Sequence, residues 1–137
     1  MSTAFHTTRR VEFGETDMAG IVHFSNFFRY MEAAETAFLR ARGLSVSLQW
    51  QGESVGFPRV SVACDYLKPA KFEDLLDIFV TLEKIGRKSL TFAFDFKRGD
   101  EVLAQGRITS VFCRKLGDQG MESLEIPDEL RRILEVG

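Results

Sequence analysis

Residues 23–43 read His23-Phe24-Ser25-Asn26-Phe27-Phe28-Arg29-Tyr30-Met31-Glu32-Ala33-Ala34-Glu35-Thr36-Ala37-Phe38-Leu39-Arg40-Ala41-Arg42-Gly43, and their apolar side chains recur with the period of an α-helix. Phe24, Phe27, Phe28 and Met31 fall at i, i+3, i+4 and i+7, and Ala34 and Phe38 continue the same stripe. A helix with one such face must bury it against another element. Ser25 or Asn26 can cap its start, Arg40 and Arg42 suit the negative end of its dipole, and Gly43 stops it. Upstream, residues 5–13, with Thr7, Thr8, Val11 and Phe13, predict a strand that ends in the loop Gly14-Glu15-Thr16-Asp17. Downstream, residues 45–51 predict a short second helical turn before a loop containing Gly52 and Gly56.

After Pro58 the period changes to two. Val60, Val62, Cys64 and Tyr66 alternate with Ser61, Ala63 and Asp65, and Lys68-Pro69 stops the run. Ile78, Val80 and Leu82 form a second alternating run, and Leu90, Phe92, Phe94 and Phe96 a third. Arg98-Gly99-Asp100 turns tightly into a last strand over about residues 101–115, and Pro127 opens a tail helix. Strands so close together form an antiparallel meander. The expected fold class is α+β, a single domain over residues 1–137 in which one long helix is wrapped by a five-stranded antiparallel sheet.

Composition narrows the partners. The 137 residues are 45% hydrophobic and 28% charged, as in a globular chain, and 18 basic against 20 acidic residues give a net charge of −2. Bulk charge therefore does not drive binding to nucleic acid or anionic membranes, although a local site for a small anion stays open. No run approaches the roughly 18 apolar residues of a membrane span, and the first ten residues have no apolar signal-peptide core. Cys64 and Cys113 lie in apolar alternating runs without metal-ligand or CxxC spacing, so they are expected to be buried thiols of a cytoplasmic protein. His6 is expected on a strand surface. The 13 phenylalanines suggest a very aromatic core, an apolar ligand tunnel or a subunit interface.

One segment points to chemistry. Asp17-Met18-Ala19-Gly20-Ile21-Val22-His23-Phe24 runs directly into the long helix. A carboxylate in a turn, a glycine that lets backbone approach a ligand, and the free N–H groups of a helix start together make a workable hydrolytic pair. An Asp in such a turn also serves as a purely structural Asx turn, and the bare spacing does not choose between the two.

The stretch from Val11 to Phe27, with its Asp17-x-x-Gly20-x-Val22 core followed by aromatic residues, closely resembles the signature of the 4-hydroxybenzoyl-CoA thioesterase branch of hotdog-fold acyl-CoA thioesterases. Tyr66-Leu67-Lys68-Pro69-Ala70 resembles the usual strand ending in that branch, and Ile85-Gly86-Arg87-Lys88-Ser89 its turn into the next strand. The resemblance implies a hotdog fold and hydrolysis of an acyl-CoA to a carboxylic acid and free coenzyme A. Asp17 stands at the catalytic carboxylate, as nucleophile or as general base on water. Phe24 stands where a backbone N–H polarises the thioester carbonyl, with Gly20 and His23 in the positioning segment. Whether His23 orients Asp17, lines the pocket or packs stays open. Arg87, Lys88 and Ser89 fall in the segment that meets coenzyme A.

The resemblance also implies a homodimer, extended to a dimer of dimers, whose sites are lined from two chains. No metal or redox cofactor is implied, coenzyme A being part of the substrate. His23-Phe24 and Phe27 replace residues that are often Trp, Tyr or His in relatives, so a specificity for 4-hydroxybenzoyl groups does not carry over. A non-catalytic dimer that binds acyl-CoA or a small ligand is the alternative on the same fold. A hydratase would need an Asp/His pair within a hydratase motif, and no such motif is present.

Overall fold

The computed structural model describes residues 4–135; the expectations for Met1–Thr3, Val136 and Gly137 lie outside them. Nine strands and two α-helices follow the order β1 (Phe5–Arg10), α1 (Asn26–Arg40), β2 (Ser47–Trp50), β3 (Glu53–Gly56), β4 (Arg59–Tyr66), β5 (Leu75–Ile85), β6 (Ser89–Arg98), β7 (Glu101–Val111), β8 (Cys113–Lys115), β9 (Met121–Ser123) and α2 (Asp128–Glu135) among the described residues. Strands β1-β5-β6-β7-β4, in that spatial order, form an antiparallel five-stranded sheet. Strands β2-β3-β8-β9 form a second, four-stranded sheet. Beside the long helix and the tail helix expected after Pro127, the expectation of one sheet wrapping one helix is thus corrected to two sheets and two helices.

Helix α1 packs on the five-stranded sheet through Phe27, Tyr30, Met31, Ala34, Phe38 and Leu39. Phe27 meets Phe96 and Phe38 meets Phe92, both edge-to-face at 5.1 Å between ring centroids. Phe92, Phe94 and Phe96 are all buried, so the aromatic strand is core. Gly106 on β7 sits under the helix: a Cβ there would lie 2.2 Å from Met31 Sδ, so any larger residue would have to push the Met31 side chain aside. Glu35, also buried on α1, accepts hydrogen bonds from Arg59 on β4, one of them from Nε at 3.1 Å.

Several local expectations are corrected. Phe24 and Phe28 belong to the apolar stripe by spacing, but they are exposed at the helix start. Neither Ser25 nor Asn26 caps the helix: Ser25 Oγ pairs with His23 Nδ1 at 2.8 Å, and Asn26 Nδ2 donates to Glu15 O at 2.8 Å. Arg42 does bond the last turn, donating to Phe38 O at 3.2 Å. Within residues 45–51 a strand replaces the helical turn, because Gln51 and Gly52, at φ of 51° and 83°, form a two-residue hairpin turn into β3. The long last strand breaks at Phe112, which turns into the core between β7 and β8 and packs on Phe57 at 5.4 Å. The first strand ends at Arg10, followed by a 3-10 turn over Phe13–Glu15. Cys113 is buried as expected, whereas Cys64 is only half-buried. Val60, Val62 and Tyr66 leave the apolar face of edge strand β4 open to solvent. Among the described residues no helix is long and apolar enough to cross a membrane.

Candidate active site

The chain between β1 and α1 is folded back on itself by short-range bonds. Thr16 and Val22 form an antiparallel bridge, Asp17 N–H donates to Ile21 O at 2.8 Å, and Gly20 N–H donates to Asp17 O at 3.0 Å. Gly20 takes φ of 82°, the left-handed conformation that closes this turn and that a side chain would strain. Asp17 Oδ1 accepts the Ala19 N–H at 2.8 Å, an Asx turn, while Oδ2 accepts nothing among the described residues. The loop is pinned on two sides: His23 N–H donates to Glu15 O at 2.9 Å, and Val22 N–H donates to Ala70 O at 2.8 Å.

Glu15 is the hub behind this loop. Its carboxylate accepts the Glu12 N–H at 2.8 Å, the Tyr30 hydroxyl at 2.9 Å and an ion pair from Arg9. Burial, the largest influence, pushes the Glu15 carboxyl up, but the Glu12 amide, Arg9 and Tyr30 together outweigh it and hold it below the usual carboxylate range. Burial, and then Glu15, raises the Tyr30 phenol, which therefore stays a donor.

Between this loop, the start of α1 and the end of β4 lies a largely apolar pocket of about 440 Å³. Asp17, Phe24, Phe27 and Tyr66 line it, together with the Leu67–Ala70 segment. The Phe24 N–H, one residue before the N-cap Ser25 of α1, donates to no acceptor among the described residues. Phe24 O accepts the Tyr66 hydroxyl at 2.9 Å. Of the residues singled out in the sequence, Asp17 and Phe24 thus come together in one pocket.

The others do not join them. Gly20 shapes the turn but does not line the pocket. The His23 ring stacks on Phe24 at 4.5 Å and its Nδ1 pairs with Ser25 Oγ; it makes no hydrogen bond to Asp17. Arg87, Lys88 and Ser89 lie at the β5–β6 turn, where Arg87 is ion-paired with Glu125 and Lys88 Nζ reaches Ser123 Oγ at 3.5 Å. The Asp17 loop bonds near the other end of β5, through the Ile21–Lys71 bridge. Eleven strand residues place the two roughly 35 Å apart along the strand axis.

Tyr66 and Glu15 were not legible as site residues. Tyr66 ends an alternating strand, and its contact with Phe24 spans 42 positions of sequence. Glu15 carried one local signal, the Glu12-x-x-Glu15 spacing of a capping box, which the structure contains.

This arrangement of a long helix on an antiparallel sheet is that of the hotdog fold. Residues 11–134 match the thioesterase-like superfamily, and the chain belongs to that family of thioester hydrolases. It is 36% identical over 97 residues to a putative esterase of Aquifex aeolicus, covering 71% of this chain and 75% of the relative. It is 30% identical over 132 residues to the 1,4-dihydroxy-2-naphthoyl-CoA hydrolase of Nostoc punctiforme, covering 96% and 87%. The crystal structure of a 4-hydroxybenzoyl-CoA thioesterase variant complexed with 4-hydroxybenzoyl-CoA superposes with a TM-score of 0.84 at 22% identity, covering 98% of this chain and all of the other, a likeness of fold.

Proposed function

We propose that the chain is an acyl-CoA thioesterase that releases a carboxylic acid and free coenzyme A. The observation that carries this reading is the pairing, in one apolar pocket, of the Asp17 carboxylate with the unpaired Phe24 N–H at the start of α1. The thioester carbonyl docks against that N–H, where the helix start favours the negative charge that develops on oxygen. Asp17 then acts in one of two ways. As nucleophile it attacks the carbonyl carbon, expels the coenzyme A thiolate and leaves a mixed anhydride for water to cleave. As general base it takes a proton from water, whose oxygen attacks instead. Both routes need only water besides the groups of the pocket and the substrate. The apolar lining suits the acyl chain, and Gly20 and His23 shape the loop that presents Asp17 and Phe24.

Arg87, Lys88 and Ser89 are assigned to the phosphate end of coenzyme A. They lie too far along β5 to serve the Asp17 pocket of their own chain, which favours a homodimer, extended to a dimer of dimers, in which a second copy supplies them. The exposed edge of β4, with Val60 and Val62 open to solvent, suits pairing of the two sheets. A cytoplasmic setting fits the two unpaired cysteines. Thiol release across a panel of aliphatic and aryl acyl-CoAs tests the activity and ranks the acyl groups. Turnover of any member supports the reading, whereas tight acyl-CoA binding without turnover points to a binding protein.

A further inference from the structure

Tyr66 ends β4 beside the pocket, and its hydroxyl donates to Phe24 O at 2.9 Å, joining the sheet edge to the helix start. Phe24 O also accepts the Phe27 N–H at 3.3 Å, and His23 O accepts the Asn26 N–H at 2.9 Å. The peptides on both sides of Phe24 are therefore held through their carbonyls: Asn26 holds the His23–Phe24 peptide, which carries the Phe24 N–H, and Tyr66 and Phe27 hold the Phe24–Ser25 peptide that follows it. No side-chain cap holds this helix start, because Ser25 bonds His23 and Asn26 bonds Glu15. Beside the local His23 Nδ1, which accepts the Ser25 N–H at 3.3 Å, a restraint on this segment comes from another element.

The aim of the hydroxyl is set by a rigid base. The Tyr66 ring packs edge-to-face on Phe27 at 5.3 Å, and the buried Phe27 packs in turn on Phe96. Burial, and then the neighbouring Cys64, raises the Tyr66 phenol, so it remains a donor through the neutral range. We infer that Tyr66 is a positioning residue: its hydroxyl fixes the Phe24–Ser25 peptide, hinged at the Phe24 Cα to the peptide that carries the Phe24 N–H, so that this N–H is presented to the thioester oxygen, without itself touching the reacting atoms. The inference rests on the thioesterase reading of this pocket. It deepens that reading by naming what holds the carbonyl-polarising amide in place.

The test compares Tyr66→Phe, which deletes only the hydroxyl, with Tyr66→Leu, which deletes the ring as well. Kinetics use the acyl-CoA that the wild type hydrolyses fastest. Tyr66→Phe is expected to lower kcat about ten-fold with KM within about two-fold, because an interaction that matters only in the transition state is weakened. Tyr66→Leu is expected to lower kcat similarly and to raise KM, since part of the pocket wall is gone. An unchanged kcat in Tyr66→Phe overturns the inference, as does a rise in KM alone, which would make Tyr66 a plain contact residue. A second readout does not depend on turnover: in protein labelled with 15N-phenylalanine, the Phe24 amide signal, assigned by its absence in Phe24→Leu, is expected to move in Tyr66→Phe. An unmoved signal overturns the inference. Should the wild type release no thiol from any acyl-CoA, the thioesterase reading fails, and the Phe24 signal still decides whether Tyr66 holds that peptide.

Discussion

The Tyr30 hydroxyl donates to Glu15 Oε1 at 2.9 Å, tying the second turn of α1 to the segment that leads into Asp17. With Arg9 from β1 on the same carboxylate, three parts of the chain meet behind the loop. The position of Asp17 is therefore set by a charged network rather than by its own turn alone.

This network carries a pH dependence with a definite sign. The Glu15 carboxyl is held below its ordinary range in the folded state, so the folded protein binds its proton less readily than the unfolded chain does. The stability it contributes is complete above the unfolded carboxylate range and is lost as pH falls through that range and below. Glu15→Gln is expected to cost about 1.5–3 kcal/mol at neutral pH and to flatten the acid limb of the stability curve. Urea titrations between neutral pH and pH 3 measure both effects. A variant with the acid limb of the wild type would show that Glu15 does not hold the loop.

At the helix–sheet crossing, Gly106→Ala sets a methyl group against the fully buried Met31. Overpacking of this kind costs about 1–3 kcal/mol. In a Met31→Ala background the same substitution should cost much less, because the clashing sulfur is gone. A double-mutant cycle by chemical denaturation reads the coupling, and additive effects would mean that Gly106 is not there for Met31.

The open edge of β4 predicts how the chain associates. Val62→Asp puts like charges face to face if two copies pair along that edge. Sedimentation is expected to show the wild type as a dimer or a dimer of dimers and the variant as a smaller species with an unchanged circular dichroism spectrum. An unchanged mass in the variant would place the interface elsewhere.

Arg87→Ala and Lys88→Ala address the coenzyme end. Each is expected to raise KM for acyl-CoA about three- to ten-fold with kcat nearly unchanged, the signature of binding that is uniform through the reaction. Shortening the substrate to an acyl-N-acetylcysteamine should abolish the difference between variants and wild type. A fall in kcat on the short substrate would contradict the assignment.

Much of the fold was readable because periodicity reports burial directly. Leu90, Phe92, Phe94 and Phe96 alternate in sequence and are buried on one face of β6. The helix was equally clear, but its stripe ran one turn too far. Phe24 and Phe28 have helical spacing yet stay exposed, while Glu35 takes a core position because Arg59, 24 residues away, neutralises it. Pairs that close over such distances leave no local pattern. The second sheet was hidden for a related reason: β2, β8 and β9 are only three or four residues long, shorter than alternation needs to show itself. In the candidate site, Asp17 and Phe24 lie in one contiguous segment, and the family resemblance of that segment singled them out. Tyr66 could not be found, since only the folded sheet brings its hydroxyl to Phe24.

The central claim is that Asp17 drives thioester hydrolysis in the pocket it shares with Phe24. The most direct measurement is thiol release by Asp17→Asn beside the wild type on the same acyl-CoA, with binding followed by calorimetry. The substitution keeps the size of the side chain and an oxygen for the Ala19 amide, but removes the nucleophile or base. The account predicts a fall in kcat of about 10²–10⁴-fold with acyl-CoA affinity within about three-fold of wild type. A variant that keeps kcat within a few-fold of wild type would contradict it.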